Sequence, residues 1–382
     1  MKRAMKIIIT IIIVIIIIAI IVFAYVKNNS RQDTKESEPV TVGVIVSLSG
    51  DYANIGESMR EGAKLAQEEI NILTSSPKLN LLFEDGQADA KVGLGAYRKL
   101  ADINGVKFFL LAHSNISQAV SAVAQKEGNL ALSIYSSAVN LTAIGDLVFR
   151  NEVRIEGETQ KLVDYVLGKN YRKAAILPVN TEGSMASAKL FQQKFEAKGG
   201  QITLIEKYGA KENDFRTQLT KIKSSNPDVI FAIGGPKQMG EIIKQAHKLG
   251  IGTPLVSDFH AEGPELLSVA GSSADGLVYS HTLDLTSLDP AVKNYADKFR
   301  AKYRQEPDYF SAAAYDSINI IYNSARNCAP INDLDCVRKN LLSVENYPGV
   351  TGKTTIDSSR ETDKTIILKI VKNGQFVPLE QN

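Results

Sequence analysis

Tryptophan is absent from the 382-residue chain, cysteine occurs twice and histidine four times. Two cysteines exclude a disulfide-dense scaffold and a four-thiolate zinc site. His113, His247, His260 and His281 stand singly, so no spacing points to a metal cluster. The chain has no nucleophile elbow, Walker loop, HExxH, CxxC or dinucleotide-type GxGxxG motif. The common signatures of hydrolases, nucleotide enzymes and zinc enzymes are therefore missing, and no cofactor is indicated. An excess of one charge is missing too. Lys2, Arg3, Lys6 and Lys27 hold four of the 44 basic residues, and the first 30 residues contain no acid. The remainder carries 40 basic residues against 42 acids. A near-neutral body excludes the positive field of a nucleic-acid binder.

One long apolar run is present. Ile7 to Val26 is interrupted only by Thr10 and Tyr25. As a helix rising 1.5 Å per residue it would span about 30 Å of hydrocarbon. It exceeds the h-region of a cleaved signal peptide, the alternative reading, and no small-x-small cleavage site follows. With Lys2, Arg3 and Lys6 ahead of the run, the expectation is a single-pass protein of the cell membrane, its N-terminus cytoplasmic and its body extracytoplasmic. Residues 1–26 are then the cytoplasmic start and transmembrane anchor, and 27–39 a polar linker. Cys328 and Cys336 lie eight positions apart. In an oxidising compartment they suit a local disulfide between two helices, contributing about 2 kcal/mol by loop closure; reduced packing cysteines are the alternative.

The body alternates short apolar runs with helical periodicity, the pattern of α/β proteins with buried parallel strands. Val42–Val46, Leu79–Phe83, Phe108–Leu111, Leu132–Ile134 and Val148–Val153 form one strand series. Ala174–Pro178, Ile202–Ile205, Val229–Ile233, Leu255–Ser257 and Leu277–Tyr279 form a second. Met59, Ala63, Ala66 and Ile70 recur at spacings of four, three and four, giving a helix one apolar face. Helices are expected at 291–303, 311–325 and 334–342. Val350–Ile356 and Thr365–Val371 read as an antiparallel pair, with a turn at Asn373-Gly374. In such sheets ligands bind beyond the carboxyl ends of strands. The turns Ser47–Tyr52, His113–Ser117 and Tyr135–Val139 are therefore candidate sites, and Asp258, His260 and Glu262 cluster after a strand of the second series. Each hydroxyl or acid in these turns could equally be a helix cap.

The order of these segments resembles the extracytoplasmic substrate-binding proteins of branched-chain amino acid ABC transporters, the Leu/Ile/Val-binding family with the type I periplasmic-binding fold. The resemblance lies in VGVIVSLSGDYANIGESMREGAKLAQEEIN from Val42, in Phe83-Glu84-Asp85-Gly86, in Asn226-Pro227-Asp228-Val229-Ile230 and in Ala313-Ala314-Tyr315-Asp316. It covers residues 40 to 378. It implies two Rossmann-like lobes joined by a hinge, residues 40–153 with 284–355 and residues 154–283 with 356–382. The lobes would close on a small solute, most simply an amino acid, and deliver it to ABC permease subunits, without catalysis. A sensory module, or a binder of an amide or small carboxylate, is the alternative. Carried over residue by residue, Ser114, Asn115, Ser136 and Ala138 would hold a ligand carboxylate and Asp258 its ammonium, with Tyr52 packing nearby. Ser117, Glu156, Glu182 and Pro236 are further ligand-binding candidates. Ile55, Glu182 and Pro236 stand where amino-acid-binding relatives carry aromatic residues.

Overall fold

The computed structural model describes residues 17–20, 38–73, 77–138 and 140–380. The first strand series forms a parallel sheet of β1 (Val40–Val46), β2 (Leu79–Asp85), β3 (Phe108–Ala112), β4 (Leu130–Ile134) and β5 (Val148–Arg150). Its spatial order is β2-β1-β3-β4-β5. Helices α1 (Ala53–Ile72), α2 (Ala90–Arg98) and α3 (Ser114–Lys126) interleave the first four strands. As their spacing predicts for one apolar face of α1, Met59, Ala63, Ala66 and Ile70 are all buried against the sheet.

The second series repeats the scheme with β6 (Lys173–Pro178), β7 (Gln201–Ile205), β8 (Val229–Ile233), β9 (Leu255–Ser257) and β10 (Val278–His281). Its helices are α4 (Ile155–Gly168), α5 (Glu182–Ala197), α6 (Arg216–Ser224), α7 (Pro236–Lys248) and α8 (Pro264–Ala270). Three more follow, α9 (Pro290–Tyr303), α10 (Tyr309–Ala325) and α11 (Leu334–Leu342). Although late in sequence, α10 and α11 pack on the first sheet, where Ile318, Ile321, Val337 and Leu341 join the core of Val42, Val44 and Leu110. The Cys328–Cys336 disulfide ties the end of α10 to the start of α11, as the spacing suggests.

The end of the chain departs from its expected pairing. A small third sheet joins β11 (Tyr347–Gly349), β12 (Gly352–Ile356) and β13 (Thr362–Lys364). The antiparallel partner of β12 is thus β13, not residues 365–371. Instead β14 (Ile367–Lys372) runs antiparallel to β10 in the second sheet, placing the buried Leu368 and Val371 in the cores on its two faces. It turns through Asn373 and Gly374, both at positive φ, into β15 (Gln375–Pro378). The second sheet is then ordered β15-β14-β10-β9-β8-β6-β7. The chain crosses between the two halves three times, after β5, after β10 and after β13.

The expected single-pass localisation is corrected. A span requires about 20 consecutive apolar helical residues. Within Ile7–Val26 only residues 17–20 are described, as a helical fragment. Among the described residues no helix is long and apolar enough to cross a membrane. The rest of the run, and linker residues 27–37, lie outside the described residues.

Candidate functional site

In both halves the strand order reverses beside the first strand, and the carboxyl ends at these switch points face a common cleft of about 2090 Å³. That exceeds the roughly 300–1,000 Å³ of a small-molecule pocket, because the cleft runs from a mouth at Arg300 and Glu306 to the β14–β15 edge. Its centre is narrow. Gly183, at the start of α5, leaves no room for a side chain: a Cβ there would lie 2.6 Å from Ser137 Oγ on the opposite wall.

The first-sheet wall is set by two strand exits. His113 follows β3 at φ 69° and Tyr135 follows β4 at φ 51°. Bulky residues adopt this left-handed region at a cost of about 1–3 kcal/mol, and such strain gathers at ligand sites. The two rings stand 5.2 Å apart. Behind His113 begins α3, whose first N–H groups have no partner within the helix. Ser114 Oγ accepts the Ser137 N–H at 3.1 Å. The Ser136 peptide is held at both ends: its N–H donates to Glu152 Oε2 (2.9 Å), and its carbonyl accepts from Arg150 Nη1 (3.2 Å), which also reaches the Ala138 carbonyl (2.8 Å). The Ser136 hydroxyl, on a residue only 2% exposed, has no partner. His113 Nε2 is likewise buried and unpartnered. Leaving such groups unsatisfied costs about 1–3 kcal/mol each.

The second-sheet wall is acidic. Asp258, after β9, accepts the His260 N–H at Oδ1 (3.2 Å), and His260 Nδ1 lies 3.2 Å from the same oxygen. Glu158, in the first turn of α4, accepts the Ser280 hydroxyl (2.9 Å). Glu152 accepts the Tyr309 hydroxyl (3.1 Å) as well as Ser136 N–H. Burial raises the Glu152 carboxyl, and burial together with Asp258 raises that of Glu158 well above the usual range. Burial opposes charge on His260, but Asp258, Glu158 and Glu152 outweigh it and lift the imidazole to about 9. His260 is therefore a cation at neutral pH, with 38% of its side chain accessible. Deeper along this wall, Glu262 accepts Tyr279 Oη (2.5 Å) and Lys369 Nζ (2.8 Å). His281 Nδ1 accepts the Thr282 and Leu283 N–H groups, leaving Nε2 to carry the proton facing Glu262 at 3.7 Å.

Of the residues singled out from the sequence, Tyr52, Ser114, Ser136 and Ala138 line the first wall, and Asp258, Glu156 and Pro236 the second. Three lie off the cleft. Asn115, about 100° around α3 from Ser114, donates to the Ala88 carbonyl and accepts from Ile116 N–H. Ser117 is buried between α3 and β4, its hydroxyl 2.7 Å from Ser133 Oγ. Glu182 is outside the lining, which passes through Thr181, Gly183 and Ser184. Sequence reasoning missed Glu152, Glu158 and Phe310. Extending the fifth strand to Val153 hid Glu152, which lies past the true strand end at Arg150. Among the described residues no group of His, Cys, Asp or Glu is placed to hold a metal ion.

Two α/β lobes, three crossings and a cleft between facing strand exits are the architecture of a hinged, two-lobed solute-binding fold. A family model described as periplasmic binding protein matches residues 39–374, and the chain belongs to that family. At this level its function is that of a non-catalytic substrate-binding protein for an ABC importer. It is 26% identical over 308 residues to the Leu/Ile/Val-binding protein homolog 3 of Brucella melitensis, covering 79% of this chain and 83% of that protein. It is also 26% identical over 305 residues to the Leu/Ile/Val-binding protein of Escherichia coli K12, covering 77% and 82%. Among solved structures, the substrate binding protein LivJ of Streptococcus pneumoniae in complex with isoleucine superposes with a TM-score of 0.80 at 26% identity, covering 90% of this chain and 99% of that one.

Proposed function

We propose that this protein closes on a small carboxylate-bearing solute, an amino acid in the first instance, and presents it to the permease subunits of an ABC importer. The observation that carries this reading is the complementarity of the walls. One offers the α3 N-terminus, Ser114 and the unpartnered Ser136 hydroxyl, all suited to a carboxylate; the other offers Asp258 to an ammonium. Ala138 lies beside the carboxylate position, and Tyr52, Glu156 and Pro236 border the solute. Because β13 pairs with β12, the boundary expected after residue 355 shifts to the third crossing: residues 40–153 with 284–364 move as one body, and residues 154–283 with 365–380 as the other. The names of the Leu/Ile/Val-binding relatives support an amino acid.

A second reading, a carboxylate or amide without an ammonium, has one observation in its favour: Asp258 already holds His260, a cation of the protein's own. A dye-based thermal-shift panel of amino acids, amides and small carboxylates on the full-length protein tests both, since binding to the native state raises its apparent stability. A saturable shift confined to ammonium-bearing carboxylates supports the first reading, and one confined to ammonium-free solutes the second. No shift with any solute of the panel, from folded protein, overturns both.

A further inference from the structure

Arg150, Arg154 and Lys369 line the cleft, and each is spent on a carboxylate of the protein, Glu361, Asp357 and Glu262 respectively. His260 is spent only in part. Its Nδ1 lies 3.2 Å from Asp258 Oδ1, the oxygen that also accepts its backbone N–H. A ring fixed through Nδ1 turns Nε2 away from that carboxylate, and Nε2 has no hydrogen-bond partner among the described residues. An imidazolium donates from both nitrogens. One charged N–H of His260 is therefore unused, on a side chain 38% accessible in the cleft.

This donor stands at the level of the carboxylate anchors on the other wall. The His260 and Tyr135 rings meet across the cleft, 6.4 Å apart between centroids at 46°, and Phe259 backs His260 at 4.0 Å. Tyr135 directly precedes Ser136, whose buried hydroxyl is unpartnered. The groups facing His260 are Asp258 on its own turn, Glu158 of α4, Glu152 of the first crossing, Tyr135 after β4, His281 of β10 and, behind Phe259, Tyr309 of α10. Burial pushes both tyrosine hydroxyls up and lowers His281 to about 4, so these three are uncharged at neutral pH. Burial raises the Glu152 carboxyl, and burial with Asp258 raises Glu158 well above the usual range, which lessens their repulsion of an anion. The charge of Asp258 is met by His260 itself. What this wall has left to give is a cationic donor, and a charge-assisted bond is roughly twice as strong as a neutral one.

We infer that His260 is the specificity-determining residue of the second wall: its Nε2–H receives a second carboxylate of the solute while the first sits at α3, so the solute is a short dicarboxylic acid or an acidic α-amino acid. The inference rests on the reading of the cleft as a carboxylate-binding solute site.

The test is calorimetric titration of the full-length protein with two matched pairs, glutarate against butyrate and L-glutamate against L-norvaline, in which a methyl group replaces the second carboxylate. At pH 7 the diacid of at least one pair should bind at least tenfold tighter than its partner. A preference in the glutarate pair alone assigns an ammonium-free solute and one in the glutamate pair alone an amino acid, and either supports the inference. Within the responsive pair the ratio should fall to near unity in His260→Gln. In the wild type it should also shrink about fourfold between pH 7 and 9.5, as an imidazole titrating near 9 loses its charge, and the variant should show no such change. A purely structural role would move both members of a pair together and leave the ratio and its pH profile alone. Equal binding within both pairs, a ratio retained in folded His260→Gln, or a wild-type ratio independent of pH overturns the inference while the solute-binding reading stands. If the variant does not fold, the wild-type ratio and its pH profile decide. Binding of none of the four probes also overturns the inference, and together with no shift in the wider panel it overturns the reading itself.

Discussion

Asp258 and His260 set the electrostatics of the second wall, because each holds the other where a ligand charge would arrive. Removing one partner of a buried charge pair costs about 2–5 kcal/mol. Asp258→Asn is therefore expected to weaken an ammonium-bearing ligand at least ten- to hundredfold by calorimetry; unchanged affinity would remove Asp258 from the site. His260 also bears on stability. Its folded-state pKa of about 9 lies above the ordinary value of about 6.5. Its contribution is thus complete below pH 6.5 and lost as pH rises through 9. Lys364, lowered by burial to about 8, acts oppositely and favours the folded state as pH rises from 8 towards 10.5. The difference between wild type and His260→Gln isolates the histidine: the thermal midpoint of the variant should fall less between pH 6.5 and 9. At this scale the sequence revealed Asp258 and Ser136, whose places after strands are visible in the apolar runs. It could not reveal that Glu158 is buried, because an acid in the first turn of a helix reads as a solvated partner of the helix dipole.

Among the elements, the turn between β12 and β13 bears directly on the site. Glu361 lies between β12 and β13, lines the cleft, and accepts Arg150 Nε at 2.7 Å and the Thr142 hydroxyl at 2.9 Å. Arg150 in turn holds the carbonyls of Ser136 and Ala138. This turn therefore positions the loop that presents the Ser136 hydroxyl. Glu361→Gln is expected to weaken solute binding about three- to tenfold, chiefly through faster dissociation, with a smaller effect on the thermal midpoint; stopped-flow displacement would show it. Loss of stability with intact binding would reduce Glu361 to an ordinary ion pair. The alternation of strand and helix was legible because buried parallel strands are uniformly apolar and their helices are not. The assignment of β13 and β14 to different sheets was not. Residues 362–371 form one polar-to-apolar stretch, and only the register with β10 and β12 shows that the chain changes sheets at Thr365 and Ile366.

For the whole molecule, closure depends on how nearly the walls can meet. At Gly183 they come close: a Cβ there would meet both Oγ and Cβ of Ser137 within 2.7 Å. Gly183→Val should hold the lobes apart, weakening solute binding at least tenfold while leaving the thermal midpoint of the solute-free protein within about 2 °C; small-angle scattering with saturating solute would show no compaction. Compaction equal to wild type would show that the walls do not meet there on closure. The two-lobed plan was legible in the succession of two strand series, but the return of α10 and α11 to the first sheet was not, since nothing in a helix's own periodicity says which sheet it will cover. That return also orders events during synthesis. The face of β1 and β3 that α10 and α11 cover is made early, yet its cover is not finished until Leu342 has left the ribosome. The second lobe can complete most of its parallel sheet meanwhile. The half made first thus stays open almost to the end of synthesis, as does the second, which waits for β14 and β15, and the uncovered apolar face of the first sheet is the surface that a nascent-chain chaperone would have to guard longest.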